Sequence, residues 1–221
     1  NTTNAAITST VTVTPSYTNQ AVTCTGTAQT FTITVKPTPV IANKTQTICT
    51  GTAFTITPVN NAPTEIVPAG TIYTWTVANN PIVSGETAGT SSTGSISQTL
   101  TNNNSIQGEV LYNINSILNN CPGNSTTALV KVNPRPTVTS NSINQAICSN
   151  ENTNITLSSN LSATTFSWLV TQNNVTGALP GSGNNINQIL VNNNLIQGLA
   201  TYNVTPVDSG CIGLPLSIPV I

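Results

Sequence analysis

The chain has 221 residues, a length that fits one large domain or two of ordinary size. Only 4% of its residues are charged, against about a quarter in an average soluble domain. The net charge of −1 excludes a phosphate-binding surface, so we expect no nucleic-acid partner. There is no His, which removes the commonest general base and metal ligand. The apolar runs are far shorter than the roughly 20 residues of a membrane span, so we expect no membrane insertion.

Along the chain, apolar residues alternate with Thr or Ser over short segments. The pattern first occurs at Val11–Thr14 and Phe31–Val35, and it returns at Phe54–Thr57, Ile72–Val77 and Phe166–Val170. A period of two, built from β-branched and aromatic residues, is typical of half-buried strands. Clusters of Asn, Gly, Ser and Pro separate these segments and predict loops. The fold class is therefore predicted to be all-β.

An internal repeat organises the chain. The segment Asn102–Gly108 returns as Asn192–Gly198, and two connectors of the form Pro-x-Pro begin at Pro37 and Pro134. We predict a first repeat at residues 38–134 and a second repeat at residues 135–221. Residues 1–37 are predicted to be the C-terminal part of a preceding repeat, and the whole chain a processed or excised piece. Further matched positions are Trp75 with Trp168, Tyr112 with Tyr202, Cys49 with Cys148, and Cys121 with Cys211.

Each repeat has the size and strand spacing of an immunoglobulin-like antiparallel sandwich. The segment Ile72–Val77, the later Tyr-x-Ile/Val strand, the Cys-x-Gly-Thr turn and the closing Val-x-Pro-x-Pro resemble PKD-like repeats. Such repeats occur in large surface and secreted proteins of Bacteroidota, including gliding-motility adhesins of the SprB type. The resemblance implies tandem sandwiches at the cell surface. The acidic turn of the better-known PKD pattern is replaced by Ala78–Pro81 and Thr171–Asn174, so no role of those acidic residues is carried over.

The carboxylates are too scattered for catalysis. A glycosidase needs two of them a few ångströms apart, and a hydrolytic triad needs a base beside its nucleophile. We therefore predict a protein that is not an enzyme, with no catalytic residue, no metal site and no cofactor. We expect all five carboxylates at the surface, as is usual for Asp and Glu; these are Glu65, Glu86, Glu109, Glu151 and Asp208.

The aromatic residues are predicted to belong mainly to the core. Trp75 and Trp168 lie on the apolar face of equivalent strands, where a sandwich buries a Trp. Tyr112 and Tyr202 should also point inward, each with a backbone partner for its hydroxyl. The alternative is a glycan-binding module, which needs aromatic side chains outside the core. Tyr17 and Phe54 are the two aromatic residues that are not assigned to the core and could serve in such a module.

The number of cysteines is five, so at least one is unpaired. We predict one disulfide within each repeat, Cys49–Cys121 and Cys148–Cys211, each stabilising its repeat by roughly 4 kcal/mol. Cys24 matches the second cysteine of a pair, and its partner should precede Asn1. The alternative is five buried free thiols.

These observations favour a non-catalytic extracellular segment of a large cell-surface adhesin or filament, as stalk, spacer or adhesive module. The expected partners are neighbouring repeats of the same chain, and surface glycans or other cell-surface proteins are possible adhesive ligands. The alternative is a glycan-binding accessory module of a secreted enzyme. Proline connectors limit bending between repeats. Uncharged strand faces rich in Thr give a surface with little dependence on salt.

Overall fold

The structure is a computed structural model that describes residues 1–221. It consists of strands, turns and loops, and it contains no helical segment that could cross a membrane. The all-β prediction is confirmed. Residues 1–35 form two antiparallel ladders, β1 with β4 and β2 with β3. The bounds are β1 (Ile7–Val13), β2 (Ser16–Asn19), β3 (Val22–Thr25) and β4 (Gln29–Val35).

The first repeat contains eight strands in two sheets. Its strands are β5 (Lys44–Cys49), β6 (Thr52–Ile56), β7 (Ile72–Val77), β8 (Val83–Ser84), β9 (Gly89–Ser91), β10 (Ile96–Asn102), β11 (Gly108–Leu118) and β12 (Cys121–Asn133). One sheet has the order β6-β10-β8, and the other has the order β5-β12-β11-β7-β9. All pairs are antiparallel except β5 with β12, which run parallel. As a result, β5 and β12 both finish at the same end of the sandwich, where the chain leaves the first repeat.

The core of the first repeat lies between these two sheets. It contains 15 buried residues, among them Phe54, Trp75, Tyr112 and Val132. The alternation in β11 is strict: every second side chain from Gly108 to Leu118 is buried. The outward residues of β7 are Ile72, Thr74 and Thr76, as expected for a sheet with one wet face.

The second repeat has the same arrangement with shorter ladders. Its strands are β13 (Thr139–Ser140), β14 (Glu151–Asn152), β15 (Ile155–Ser158), β16 (Thr165–Asn173), β17 (Gly181–Ser182), β18 (Asn185–Ile186), β19 (Ile189–Leu190), β20 (Leu199–Asp208), β21 (Cys211–Ile212) and β22 (Leu216–Val220). One layer consists of the sheet β13-β15-β18 and the pair β14-β19. The other is β17-β16-β20, with β21 and β22 both pairing with β20. Twelve buried residues form its separate core, including Trp168 and Tyr202.

The hairpin of β1 and β4 lies outside both cores. Phe31, Ile33 and Val35 of β4 are each about half exposed, although they precede the first Pro-x-Pro connector as Ala128, Val130 and Val132 precede the second. Those three residues of β12 are fully buried in the first repeat. The β1–β4 hairpin therefore has the apolar face of a sandwich strand pair without an opposing sheet.

Candidate functional site: the junction between the two repeats

A disulfide bond between Cys49 and Cys211 joins the two repeats. Cys49 is the last residue of β5 in the first repeat, and Cys211 begins β21 in the second. Their Cα atoms are 5.6 Å apart, within the usual range for a disulfide. The bond spans 162 residues of sequence, so it fixes the second repeat to the end of the first.

This pairing differs from the predicted Cys49–Cys121 and Cys148–Cys211 bonds, which the structure does not contain. The reason is the parallel pairing of β5 with β12. Cys49 lies opposite Asn133 at the far end of β12, whereas Cys121 begins that strand. Twelve residues at about 3.3 Å each separate the two cysteines by roughly 40 Å. The two cysteines of the first repeat therefore lie at opposite ends of the sandwich, and the predicted bond between them is wrong.

The second repeat separates its two cysteines in the same way. The Ile147 N–H, next to Cys148, donates to the Ile221 carbonyl at 2.9 Å, at the end of the last strand. Cys211 lies at the opposite end, directly after the hairpin turn at Ser209 and Gly210. Cys24, Cys121 and Cys148 are free thiols in the structure, with Cys24 and Cys148 exposed and Cys121 half-buried.

Polar contacts beside the disulfide complete the junction. The Arg135 Nε donates to the Thr50 carbonyl at 3.1 Å. The Asn133 side-chain amide donates to the Ser209 carbonyl at 3.4 Å. At Gly213, a Cβ atom would collide with the Pro136 carbonyl oxygen, so only glycine allows the connector to lie this close to the second repeat. The two repeats also enclose a polar crevice of about 390 Å³ near these contacts.

The carboxylates do not form a catalytic pair, but Glu65 is not at the surface as predicted. It is 5% exposed, and the Lys44 Nζ lies 2.7 Å from its carboxylate. The Ala42 N–H also donates to this carboxylate, at 3.2 Å. A buried charge requires such partners, because desolvation otherwise makes it very unfavourable. The pKa of the nearby Tyr73 is raised, first by burial and second by the negative charge of Glu65.

The two Trp residues are buried, as predicted, and each belongs to a hydrogen-bonded network. The Trp75 Nε1 donates to the Thr87 carbonyl at 2.9 Å, and the Gln98 side chain donates to the same carbonyl at 2.7 Å. The Tyr112 hydroxyl donates to the Gln98 side-chain oxygen at 2.8 Å. The prediction of a backbone partner for this hydroxyl was therefore wrong, because the hydroxyl bonds the Gln98 side chain instead. Burial, followed by the charge of Glu86, raises the pKa of Tyr112.

The second repeat reproduces this network. The Trp168 Nε1 and the Gln188 side chain both donate to the Leu179 carbonyl, at 3.1 and 2.9 Å. The Tyr202 hydroxyl donates to the Gln188 oxygen at 2.9 Å, again a side chain rather than the predicted backbone group. Burial raises the pKa of Tyr202 to about 12. The indole rings are thus fixed inside the sandwiches and cannot stack on a ligand.

Seven of the nine aromatic residues lie in the cores, and two are exposed. Phe54, one of the two left over by the sequence, is fully buried and its ring centroid lies 5.2 Å from that of Tyr112. Tyr17 is 70% exposed and Phe31 is 51% exposed, both in the N-terminal hairpins. No group of three or more Cys, Asp or Glu side chains lies close enough to hold a metal ion.

The two sandwiches, joined by a proline connector, define a tandem of immunoglobulin-like modules. The chain belongs to the PKD-like domain family, whose model matches residues 46–136 and 145–221. Domains of this family are typically non-catalytic modules, and the disulfide fits the oxidising environment of extracellular proteins.

Solved structures of multidomain chains are similar to this one at low identity. The FN1–FN3 domains of chicken CNTN1 have a TM-score of 0.39 at 13% identity, covering 96% of this chain and 75% of that one. The two immunoglobulin domains IG1 and IG2 of DIP-gamma have a TM-score of 0.34 at 12% identity, covering 83% and 96%. No match was found among curated protein sequences.

Proposed function

We propose that this chain is a non-catalytic stalk or spacer segment of a large cell-surface adhesin or filament. Its repeats would extend the protein away from the cell by stacking end to end. The observation that carries this proposal is the junction, where the Cys49–Cys211 bond fixes one repeat on the next. A covalent link at a junction limits bending between the repeats. A spacer requires this stiffness, whereas an independent binding module does not.

The connector supports the same proposal. Prolines fix the backbone on both sides of Arg135, and Pro136 is buried. The Arg135 and Asn133 hydrogen bonds add polar contacts on both sides of the junction. Flexible linkers rich in Gly and Ser would allow the repeats to rotate freely, and none is present here.

The outer surface also suits an exposed stalk. Thr side chains are exposed on the outer face of β7, and only nine residues in the chain carry a charge. Hydroxyl groups remain hydrated at any ionic strength, so such a surface depends little on salt. The family resemblance to gliding-motility adhesins of Bacteroidota is in line with this setting, and the adhesin type is part of the proposal.

A glycan-binding role receives less support. Sugar-binding surfaces use exposed aromatic faces, and both Trp rings are inside the cores. Binding of purified chain to a glycan array, with Tyr17→Ala as the matched variant, tests this alternative. Saturable binding that the variant loses would favour a glycan-binding module over a spacer.

Small-angle X-ray scattering tests the spacer proposal. A compact globule of 221 residues has a radius of gyration of roughly 17 Å. We expect a clearly larger value and an elongated distance distribution for the oxidised chain. The Cys49→Ser variant should broaden that distribution, whereas Cys148→Ser should leave it unchanged. A compact particle for the oxidised chain would contradict a stalk.

A further inference from the structure

The free end of the second repeat has the same construction as the end of the first repeat that carries the junction. Thr50 and Ser149 are equivalent, and each side-chain hydroxyl accepts from the backbone N–H of an equivalent residue, Asn102 or Asn192. The Asn102 side-chain amide donates to the Ile106 carbonyl at 2.7 Å, and the Asn192 amide donates to that of Ile196 at 2.9 Å. Cys148 therefore occupies the place that Cys49 has in the junction.

The last strands of the two repeats run to this end in the same register. Val220 pairs with Ala200 as Val130 pairs with Val110. In the first repeat β12 continues to Val132, which pairs with Gly108 and leads into the connector.

The Val132 carbonyl accepts from the Asn102 amide at 2.8 Å, so the end of β12 is bonded to the loop that borders the junction.

The surface around Cys148 is also uncovered. Leu195 is fully exposed. It corresponds to Ser105, which lines the crevice between the first and second repeats, so a neighbour docked as at the junction would lie beside Leu195.

We propose that the Cys148 end of the second repeat is a docking face for a further PKD-like repeat of the same kind. The hairpin cysteine of that repeat, equivalent to Cys211, forms a disulfide with Cys148. The rule is that the first cysteine of each repeat bonds the second cysteine of the next. It also assigns Cys121 to the first cysteine of a preceding repeat.

Formation of this bond is a two-electron oxidation. The two thiols lose two hydrogens, and one molecule of oxidised glutathione accepts them and becomes two of reduced glutathione. Cys148 is exposed in the free chain, so a disulfide donor can reach it. The inference rests on the proposed tandem array. Disulfide mapping tests it separately from the scattering experiment, since an array can be elongated without this bond.

The test uses the full chain extended after Ile221 by a second copy of residues 132–221. The added copy supplies the end of the last strand, the connector and one more repeat. After refolding with oxidised and reduced glutathione, free thiols are alkylated and the chain is cleaved after glutamate. We expect peptide 110–151, which contains Cys148, to be linked to the added copy's peptide 152–221, which contains its Cys211.

Two variants of the extended chain control the assignment. Cys148→Ser should abolish the link and leave the added copy's Cys211 open to alkylation, whereas Cys121→Ser should preserve it. The Cys49–Cys211 bond in the same sample reports that the junction rule operates. Alkylated Cys148 in the parent, a bond between the added copy's own two cysteines, or loss of the Cys49–Cys211 bond would each overturn the proposal.

Discussion

Mechanical stretching gives the most direct test of the disulfide across the junction. A force applied at the two chain ends passes from Cys49 to Cys211 through the sulfur atoms, so the residues between them cannot be extended. Reduction releases these 162 residues, and at about 3.5 Å per residue the stretched chain should lengthen by roughly 560 Å. Most of both cores lies inside this segment; the buried core residues outside it are Ile41, Ile48, Ile218 and Val220.

Single-molecule force spectroscopy with handles at both ends measures this length. After the repeats unfold, we expect thiol reductant to produce one lengthening step of the stated size. The Cys49→Ser variant should reach the full length without reductant, and Cys148→Ser should behave as the parent. Two separate steps of roughly 250 and 220 Å would instead indicate one disulfide within each repeat and refute the junction bond.

Tryptic mapping provides an independent control on the same bond. Trypsin cleaves the denatured chain after Lys44 and Lys131, because the other two basic residues precede proline. Peptides 45–131 and 132–221 should therefore remain linked until they are reduced. Two unlinked peptides, each with an internal disulfide, would agree with the sequence-based pairing and not with the structure.

Three further predictions concern the cores. Trp168→Ala should lower the free energy of unfolding by about 3–5 kcal/mol in urea titrations, because the ring is buried. Tyr202 has a pKa of about 12 in the folded chain and about 10 in the unfolded chain, so above pH 10 the unfolded chain ionises first. The free energy of unfolding should therefore fall by roughly 2–3 kcal/mol as the pH rises from 10 to 12. Tyr202→Phe should reduce this loss of stability at alkaline pH. An unchanged dependence of stability on pH in the variant would contradict the prediction. Lys44→Met should cost roughly 2–4 kcal/mol by leaving Glu65 buried without its partner. The exposed-pair control, Lys131→Met, should cost less than about 1 kcal/mol in thermal melts.

The strands and their buried faces could be predicted because local alternation determines them. Tyr73 and Trp75 point inward since they alternate with Thr on a strand whose other face is wet. The duplicated Trp and Tyr positions likewise predict two equivalent cores. The partner of each Tyr hydroxyl could not be predicted, since Gln98 and Gln188 bond these hydroxyls from the opposing layer through contacts that no local pattern specifies.

The burial of Glu65 escaped prediction for a similar reason. A single carboxylate in a Pro-rich loop has no local feature that distinguishes it from an exposed one. Its burial depends on Lys44, which lies 21 residues earlier and begins the strand that pairs with β12. The one feature of the sequence that points to an ion pair is Lys44, a basic residue at the start of a strand. Because the chain has only four basic residues, each of them is a stronger candidate partner for a carboxylate than in an average protein.

The error in the cysteine pairing shows which property of the fold controls the junction. Cys49 and Cys121 would lie at the same end of the sandwich only if β5 and β12 were antiparallel. Their parallel pairing instead places the first cysteine where the chain leaves the repeat, and the hairpin turn places the second where the chain enters. An exit cysteine can meet only the entry cysteine of the following repeat. The short Pro-x-Pro connector then brings these two ends together, so the structure has a bond between the two repeats and none within either of them.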